Sequence, residues 1–282
     1  MLSIPTAFDF FVKNSKIDYL WEDTSCEIVF FYKVMKQVLE DPVASKYQFY
    51  VVNEEPLPEV NKNVIVIQVG LEDHRIPAYT EKVAMVFDTF PPEGNIPSNL
   101  KAIPLGYNGD LPEFEIVPFK SREIDAFFSG QNSHDRWKIG AAIDRLKTNS
   151  PFSDKKFEIH YSEKFRTGYP PDQYARSLMN TKIAFVPKGS YSPITFRFFE
   201  AARAGNIIIS CELPDTWYFK NFPGIQINNW DDLDKVLIPL LNDPERMEEI
   251  HKQTLIYYDK YCSEKAVANY MIREIGKISL SP

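Results

Sequence analysis

The chain has 282 residues, with 32 basic and 39 acidic side chains and a formal net charge of −7. It is 44% hydrophobic and 14% aromatic, which excludes a disordered chain and is typical of a folded protein with two modest domains. No long basic run occurs, so a dedicated nucleic-acid surface is not expected.

The cysteines and the N-terminal residues indicate a cellular compartment. Cys26, Cys211 and Cys262 are odd in number and widely spaced, which favours free thiols over a disulfide framework. The start, MLSIPTAFDFF, lacks a basic segment followed by a sustained apolar core, and no run approaches the roughly 18 apolar residues that span a bilayer. We therefore expect a soluble, cytoplasmic protein with at most peripheral membrane contact.

The N-terminal part predicts a small α/β unit. Helical spacing of apolar residues covers Ser25 to Leu39, and strands are predicted at Tyr47 to Val52, Val64 to Val69 and Val83 to Phe87. Dense prolines between residues 91 and 119 predict a linker, with a domain boundary near residue 115.

Three ionisable side chains, Glu72, Asp73 and His74, follow the second of these strands in VIVIQVGLEDHRIPAY. Polar residues at the carboxyl end of a parallel strand are a common place for chemistry. A carboxylate or histidine held near the working pH can take a proton from a hydroxyl group. The three are candidate catalytic bases; the alternative is a solvated loop in which charged residues collect by chance.

The C-terminal half alternates strands and helices, as a doubly wound parallel sheet requires. Residues 181–210 predict a buried strand, a Gly/Ser loop, a helix and a second strand. Ser192 is expected to cap this helix, Pro193 to be its first residue and Gly205 to end it in a left-handed turn. Because a helix N-terminus offers free N–H groups, the loop with Lys188 predicts a phosphate or carboxylate site.

Arg197 and Glu200 project from one face of that helix. Such a pair is usually a solvated surface pair. The neighbouring residues are apolar or small, so both charges are expected to be buried, and buried charges commonly serve a ligand.

The sequence KIAFVPKGSYSPITFRFFEAARAGNIIIS resembles the donor-binding segment of exostosin-like glycosyltransferases, whose pattern includes R-[FL]-F-E-A-[LA]-x-A-G between two strands. The resemblance implies that Glu200 contacts the ribose of a nucleotide sugar. It also implies that the anionic groups of the donor contact Arg197, Lys188, Gly189 and Ser192.

The resemblance extends over residues 121–245 and implies a GT-B fold, with two Rossmann-like domains facing a cleft and a smaller N-terminal domain. In GT-B enzymes the first strand, loop and helix of the C-terminal domain lie beside the donor phosphates, which places Gly130, Gln131 and Arg136 there. The implied domains are an acceptor-side domain at 1–115, a nucleotide-sugar-binding domain at 116–262 and a helix at 263–282 that crosses back to the N-terminal domain.

The implied reaction moves a sugar from a nucleotide-sugar donor to a hydroxyl of a glycan or lipid-linked glycan, in bacterial or viral polysaccharide or glycoconjugate synthesis. No metal, cofactor or nucleic acid is expected. An inverting GT-B enzyme takes its base from the N-terminal domain, which again indicates Glu72, Asp73 or His74. The alternatives are an inactive scaffold that binds a glycan or nucleotide, and an epimerase or phosphorylase of the same fold.

Other ionisable residues are weaker candidates. Asp231, Asp232 and Asp234 invite a metal, but they fall where a carboxylate would cap a helix. His160 and His134 are rival candidates in the C-terminal half. A further histidine, at position 251 in a charged helix, is predicted to lie at the surface.

Overall fold

The computed structural model describes residues 4–20, 27–149, 152–164 and 167–278. The chain forms two compact units. The first unit comprises residues 1–110, 216–218 and 259–282, and the second comprises residues 111–215 and 219–258. Among the described residues, no helix is long and apolar enough to cross a membrane.

The first unit is built on a five-stranded parallel sheet with strand order β1-β2-β3-β4-β5. Its elements up to residue 110 are α1 Ile4–Lys13, β1 Ile17–Tyr19, α2 Ile28–Val38, β2 Gln48–Val52, β3 Val64–Gln68, β4 Met85–Asp88 and β5 Leu100–Ala102. Every residue of β3 and β4 is buried, as expected for central strands of a parallel sheet.

The second unit contains another five-stranded parallel sheet, with strand order β10-β9-β8-β6-β7. Its elements are β6 Ile124–Gln131, α3 Trp137–Asn149, β7 Phe157–Ser162, α4 Pro171–Met179, β8 Thr181–Val186, α5 Phe196–Arg203, β9 Ile207–Ser210, β10 Ile225–Gln226, α6 Leu233–Leu241 and α7 Pro244–Tyr257. Helices α3, α6 and α7 contribute to one apolar core with the strands. Helix α4 packs against β6 and β8, and α5 packs against β8 and β9.

The last helix, α8 Glu264–Ile278, belongs to the first unit and packs against α2. The Tyr107 hydroxyl donates to Glu264 Oε1 at 2.6 Å and accepts from Lys33 Nζ at 2.8 Å. Trp217 also belongs to this unit, because its ring stacks on Tyr270 with centroids 4.2 Å apart and its Nε1 donates to the Ala102 carbonyl at 2.8 Å. Tertiary contacts therefore hold the C-terminal helix in the first unit.

The structure confirms the predicted α/β fold with two Rossmann-like parallel sheets. The predicted linker at 91–119 is wrong in its first part, which contains β5 and the buried Ile103 and Tyr107. The prolines of this part lie outside β5, so none of them removes a hydrogen-bond donor from the strand. The domain boundaries near residues 115 and 262 stay predictions, since compactness does not test independent folding. Residues 25, 26 and 279–282 of the predicted elements, Cys26 included, lie outside the described residues.

Candidate functional site

The carboxyl end of β6 lies directly beneath Arg197, in the first turn of α5. Arg197 Nε donates to the Ser129 carbonyl at 2.9 Å, and its guanidinium carbon lies 5.6 Å from the centroid of the Phe128 ring. A Cβ on Gly130 would overlap Arg197 Nη2. The glycine is therefore needed for close approach of the guanidinium to the strand end, and not for an unusual backbone conformation.

Arg136 joins the loop after β6 to the loop after β8. Its Nε and Nη2 donate to the Lys188 carbonyl at 3.2 and 2.7 Å, and its Nη1 donates to the Gln131 carbonyl at 3.0 Å. The residue is buried. Burial, together with the charge of Arg197, lowers the pKa of Arg136 to about 10. The guanidinium groups of Arg136 and Arg197 therefore repel each other near the carboxyl ends of β6 and β8.

The loop before α5 differs from the sequence prediction at the helix start. Ser192 does not cap the helix and Pro193 is not its first residue, because α5 begins at Phe196 after Thr195 in extended conformation. Ser192 Oγ instead accepts from the amide of Ile194 at 3.1 Å, and the Ser192 carbonyl accepts from the amide of Gly189 at 2.8 Å. These two bonds close a compact turn that delays the helix.

Three cations lie near the carboxyl ends of β6 and β8, and no carboxylate among the described residues pairs with them. Within the described residues, Lys188, Arg136 and Arg197 form no ion pair. Arg136 and Arg197 are bound to carbonyls, while Lys188 is exposed in the loop. An uncompensated positive cluster beside a helix N-terminus is suited to an anion.

Glu200 is buried one turn further along α5, as the sequence predicts, whereas Arg197 is half-buried. Glu200 Oε2 accepts from the Tyr174 hydroxyl of α4 at 2.8 Å. Burial, followed by the charge of Glu200, raises the pKa of Tyr174 well above its usual range. The tyrosine therefore stays a hydrogen-bond donor to this carboxylate at physiological pH.

The three candidate bases lie in the first unit, just after β3. Glu72 is half-buried, and burial raises the pKa of its carboxyl while the nearby His74 lowers it. His74 has a left-handed backbone with φ 57°, and its Nδ1 lies 3.0 Å from the Pro91 carbonyl oxygen. Asp73 is exposed, with its Oδ2 3.5 Å from Arg75 Nε. Glu72 and His74 are thus electrostatically coupled, whereas Asp73 forms an exposed ion pair with Arg75, which lies closer to Glu54, at 2.6 Å.

Asp88 is a further candidate for proton transfer in the first unit, and the sequence analysis does not single it out. It ends β4, is fully buried, and its Oδ1 accepts from the amide of Phe90 at 2.8 Å. Its buried Oδ2 has no hydrogen-bond partner among the described residues. Burial raises the pKa of Asp88 to about 7, although the Phe90 amide opposes the shift. The signal in the sequence is a lone carboxylate that ends the apolar run VAMVF.

The remaining histidines lie in different environments in the second unit. His160 lies within β7 and stacks on Tyr169, with ring centroids 4.4 Å apart. His134 is exposed and has a left-handed backbone with φ 50°. The predicted surface position of His251 is wrong: the residue is buried on the inner face of α7, with its Nδ1 2.6 Å from the Gly205 carbonyl oxygen.

The acidic cluster after β10 is organised by hydrogen bonds and ion pairs. The Asn229 side chain accepts from the amide of Asp231, so of the two predicted caps, Asp231 and Asp232, only Asp232 stands at an N-cap position, that of α6. Asp232 precedes α6 but makes no capping side-chain bond to the described chain. Asp231 Oδ2 lies 3.0 Å from Lys138 Nζ. No group of three His, Cys, Asp or Glu residues suited to a metal occurs in the described part of the chain.

The fold can be compared with known proteins. The chain matches no protein-family model and no curated protein. Sucrose-phosphate synthase from Thermosynechococcus elongatus has a similar structure, with a TM-score of 0.50 and 11% identity over 90% of this chain and 80% of that chain. This likeness establishes the fold class. The chain has a GT-B fold.

Two further structures show weaker likeness. TarM has a TM-score of 0.49 and 12% identity over 87% of this chain, which spans 58% of the TarM chain. Anabaena HepE in complex with UDP and glucose has a TM-score of 0.48 and 8% identity over 97% of this chain and 82% of that chain.

Proposed function

We propose that the protein is a glycosyltransferase whose second unit binds the nucleoside diphosphate part of a nucleotide sugar. The cluster of Lys188, Arg136 and Arg197 is the observation that carries this proposal, because it is cationic and forms no ion pair within the described chain. The position fits, since ligands of open α/β sheets bind at the carboxyl ends of the strands. The GT-B fold class supports the same activity.

The donor would be held by groups with distinct tasks. Arg197 and Lys188, with the loop at Gly189 and Ser192, contact the diphosphate. The Gln131 backbone borders the same site, because its carbonyl is drawn to Arg136. Glu200 accepts hydrogen bonds from the ribose, in the role that the resemblance to exostosin-like enzymes implies. As the bond to the sugar breaks, negative charge grows on the leaving phosphate, and fixed cations stabilise that charge without a metal.

The hydroxyl of the acceptor must lose a proton as it attacks the anomeric carbon. Among Glu72, Asp73 and His74, Glu72 fits a general base best, because burial raises the pKa of its carboxyl toward the working pH. Asp73 is exposed and held by Arg75. The proposed acceptor is a glycan or lipid-linked glycan in bacterial or viral polysaccharide synthesis. Cys211 and Cys262 are free thiols, which suits the proposed cytoplasmic setting.

Calorimetric titration with UDP, GDP, CMP, ADP and dTDP, each with EDTA or with Mg²⁺, tests the proposal. We expect one nucleotide to bind equally well in both conditions. Arg197→Ala should weaken that binding by about tenfold or more, because it removes a charge-assisted hydrogen-bond donor. Glu200→Gln should weaken binding of the same ribonucleotide while leaving inorganic pyrophosphate unaffected.

Arg203→Ala is the matched control, because Arg203 lies in the last turn of the same helix and contacts Glu113 and Phe114. Its nucleotide affinity should equal that of the wild-type protein. Failure of all five nucleotides to bind would contradict the proposal and favour a scaffold. Hydrolysis of a nucleotide sugar by the wild-type protein would exclude a catalytically inactive scaffold.

A further inference from the structure

Three backbone carbonyls at the proposed diphosphate site are turned toward arginine side chains. The Ser129 carbonyl accepts from Arg197, and the carbonyls of Gln131 and Lys188 accept from Arg136. A carbonyl oxygen carries partial negative charge and repels a phosphate. Arginine donors that occupy these oxygens remove that repulsion and fix the two loops at the same time.

Arg136 differs from Arg197 in how its donors are used. Arg136 is buried and spends three of its roughly five N–H groups on backbone carbonyls. Arg197 is half-buried and forms only its Nε bond to a described residue. Arg197 is therefore available for a ligand, whereas the hydrogen bonds of Arg136 are directed at the chain itself.

A second buried arginine provides a comparison within the same unit. Arg122 donates to the carbonyls of Val117, Thr181 and Ala204 at 3.1, 2.7 and 2.6 Å. Burial lowers the pKa of Arg122 to about 10, as it does for Arg136. Thr181 begins β8, whereas Lys188 follows its end. The two arginines thus bond to the chain at opposite ends of one strand, and only Arg136 bonds to the loops of the proposed site.

We infer that Arg136 is a positioning residue for the diphosphate site, holding the loops after β6 and β8 in the conformation that receives the anion. This inference rests on the proposed function. The family resemblance places Arg136 beside the donor phosphates, and the inference gives it the task of holding the two loops there. Arg136 also adds positive charge from beneath the site, and a bound anion would relieve its repulsion with Arg197.

Arg136→Lys tests the inference because it keeps the charge but loses the forked guanidinium. In the ligand-free protein, we expect amide hydrogen exchange to accelerate in residues 187–195. We also expect affinity for inorganic pyrophosphate to fall by about tenfold, because the loop must then become ordered on binding, which costs conformational entropy. Arg136→Gln serves as a second variant if Arg136→Lys does not fold.

Arg122→Lys is the matched control. We expect it to lower the melting temperature about as much as Arg136→Lys, while leaving exchange in residues 187–195 and pyrophosphate affinity unchanged. Unchanged exchange in both Arg136 variants, or equal acceleration in Arg122→Lys, would overturn the inference. Absence of pyrophosphate binding by the wild-type protein would count against the proposed function itself, whereas the exchange of the ligand-free protein tests Arg136 separately.

Discussion

Each of the two parallel sheets carries different side chains at the carboxyl ends of its central strands. The central strands of the first unit end in Gln68 and Asp88, and those of the second unit are followed by loops and a helix that contribute Arg136 and Arg197. Both sheets have five parallel strands. The side chains at the strand ends, and not the fold that the sheets share, therefore decide what each edge can bind.

Burial has different consequences for the two edges. In the first unit it raises the pKa of Asp88 to about 7, so this acid can hold or release a proton near neutral pH, and it also raises the pKa of Glu72. In the second unit it lowers the pKa of Arg136 to about 10, which leaves the residue charged at pH 7. The first edge is suited to proton transfer and the second to binding an anion.

Of the changes predicted here, Gly130→Ala should have the largest effect, on nucleotide binding at the cationic site of the second unit. The added methyl group would occupy the position of Arg197 Nη2 and push the guanidinium away from β6. The φ of Gly130 is not positive, so the backbone accepts alanine and the effect comes from the contact. We expect nucleotide affinity, measured by calorimetry, to fall by about tenfold or more.

Gly276→Ala is the control for this substitution, because a Cβ at Gly276 in α8 would meet no atom within 4 Å. It should leave nucleotide affinity unchanged. An unaltered affinity in Gly130→Ala would show that the position of Arg197 does not matter for binding.

Asp88→Asn should sharpen the contrast with a smaller effect, on the pH dependence of stability. The pKa of Asp88 is raised to about 7 in the folded protein, against about 4 in an unfolded chain. Its stabilising contribution is thus complete below about pH 4 and is lost as the pH rises through about 7. Asparagine cannot ionise, so the variant should melt a few degrees above the wild-type protein at pH 8, and the difference should be smaller at pH 5.

Melting temperatures between pH 5 and pH 8 measure this difference. Asp154→Asn, which changes an exposed carboxylate, should follow the wild-type curve. Parallel curves for Asp88→Asn and the wild-type protein would mean that Asp88 is ionised in the fold at pH 5.

Regular structure could be predicted wherever local chemistry is strong. The short apolar run at residues 183–186 lies in β8, and Gly205, with φ 70°, follows the C-cap residue of α5. The start of α5 could not be predicted, because the turn at Ser192 competes with the helix for the same hydrogen bonds. His251 was misplaced since a charged helix can still bury one face against the sheet.

The candidate site was predictable in residue type but not in task. The motif around Arg197 and Glu200 indicates an anion and a ribose, yet nothing in it shows that Arg136 donates to the nearby Gln131 carbonyl and to the carbonyl of Lys188, 52 residues away. Asp88 was missed for a similar reason. One carboxylate after an apolar strand is an ordinary sequence, and only its complete burial makes it unusual.

Amide hydrogen exchange with and without a nucleotide tests the central claim most directly. The ligand would be whichever of UDP, GDP, ADP and dTDP binds most tightly. The account predicts slower exchange in residues 129–137 and 187–200, which form the cationic edge of the second unit. Slower exchange elsewhere in that unit with none at these two segments, or no effect of any nucleotide, would contradict it.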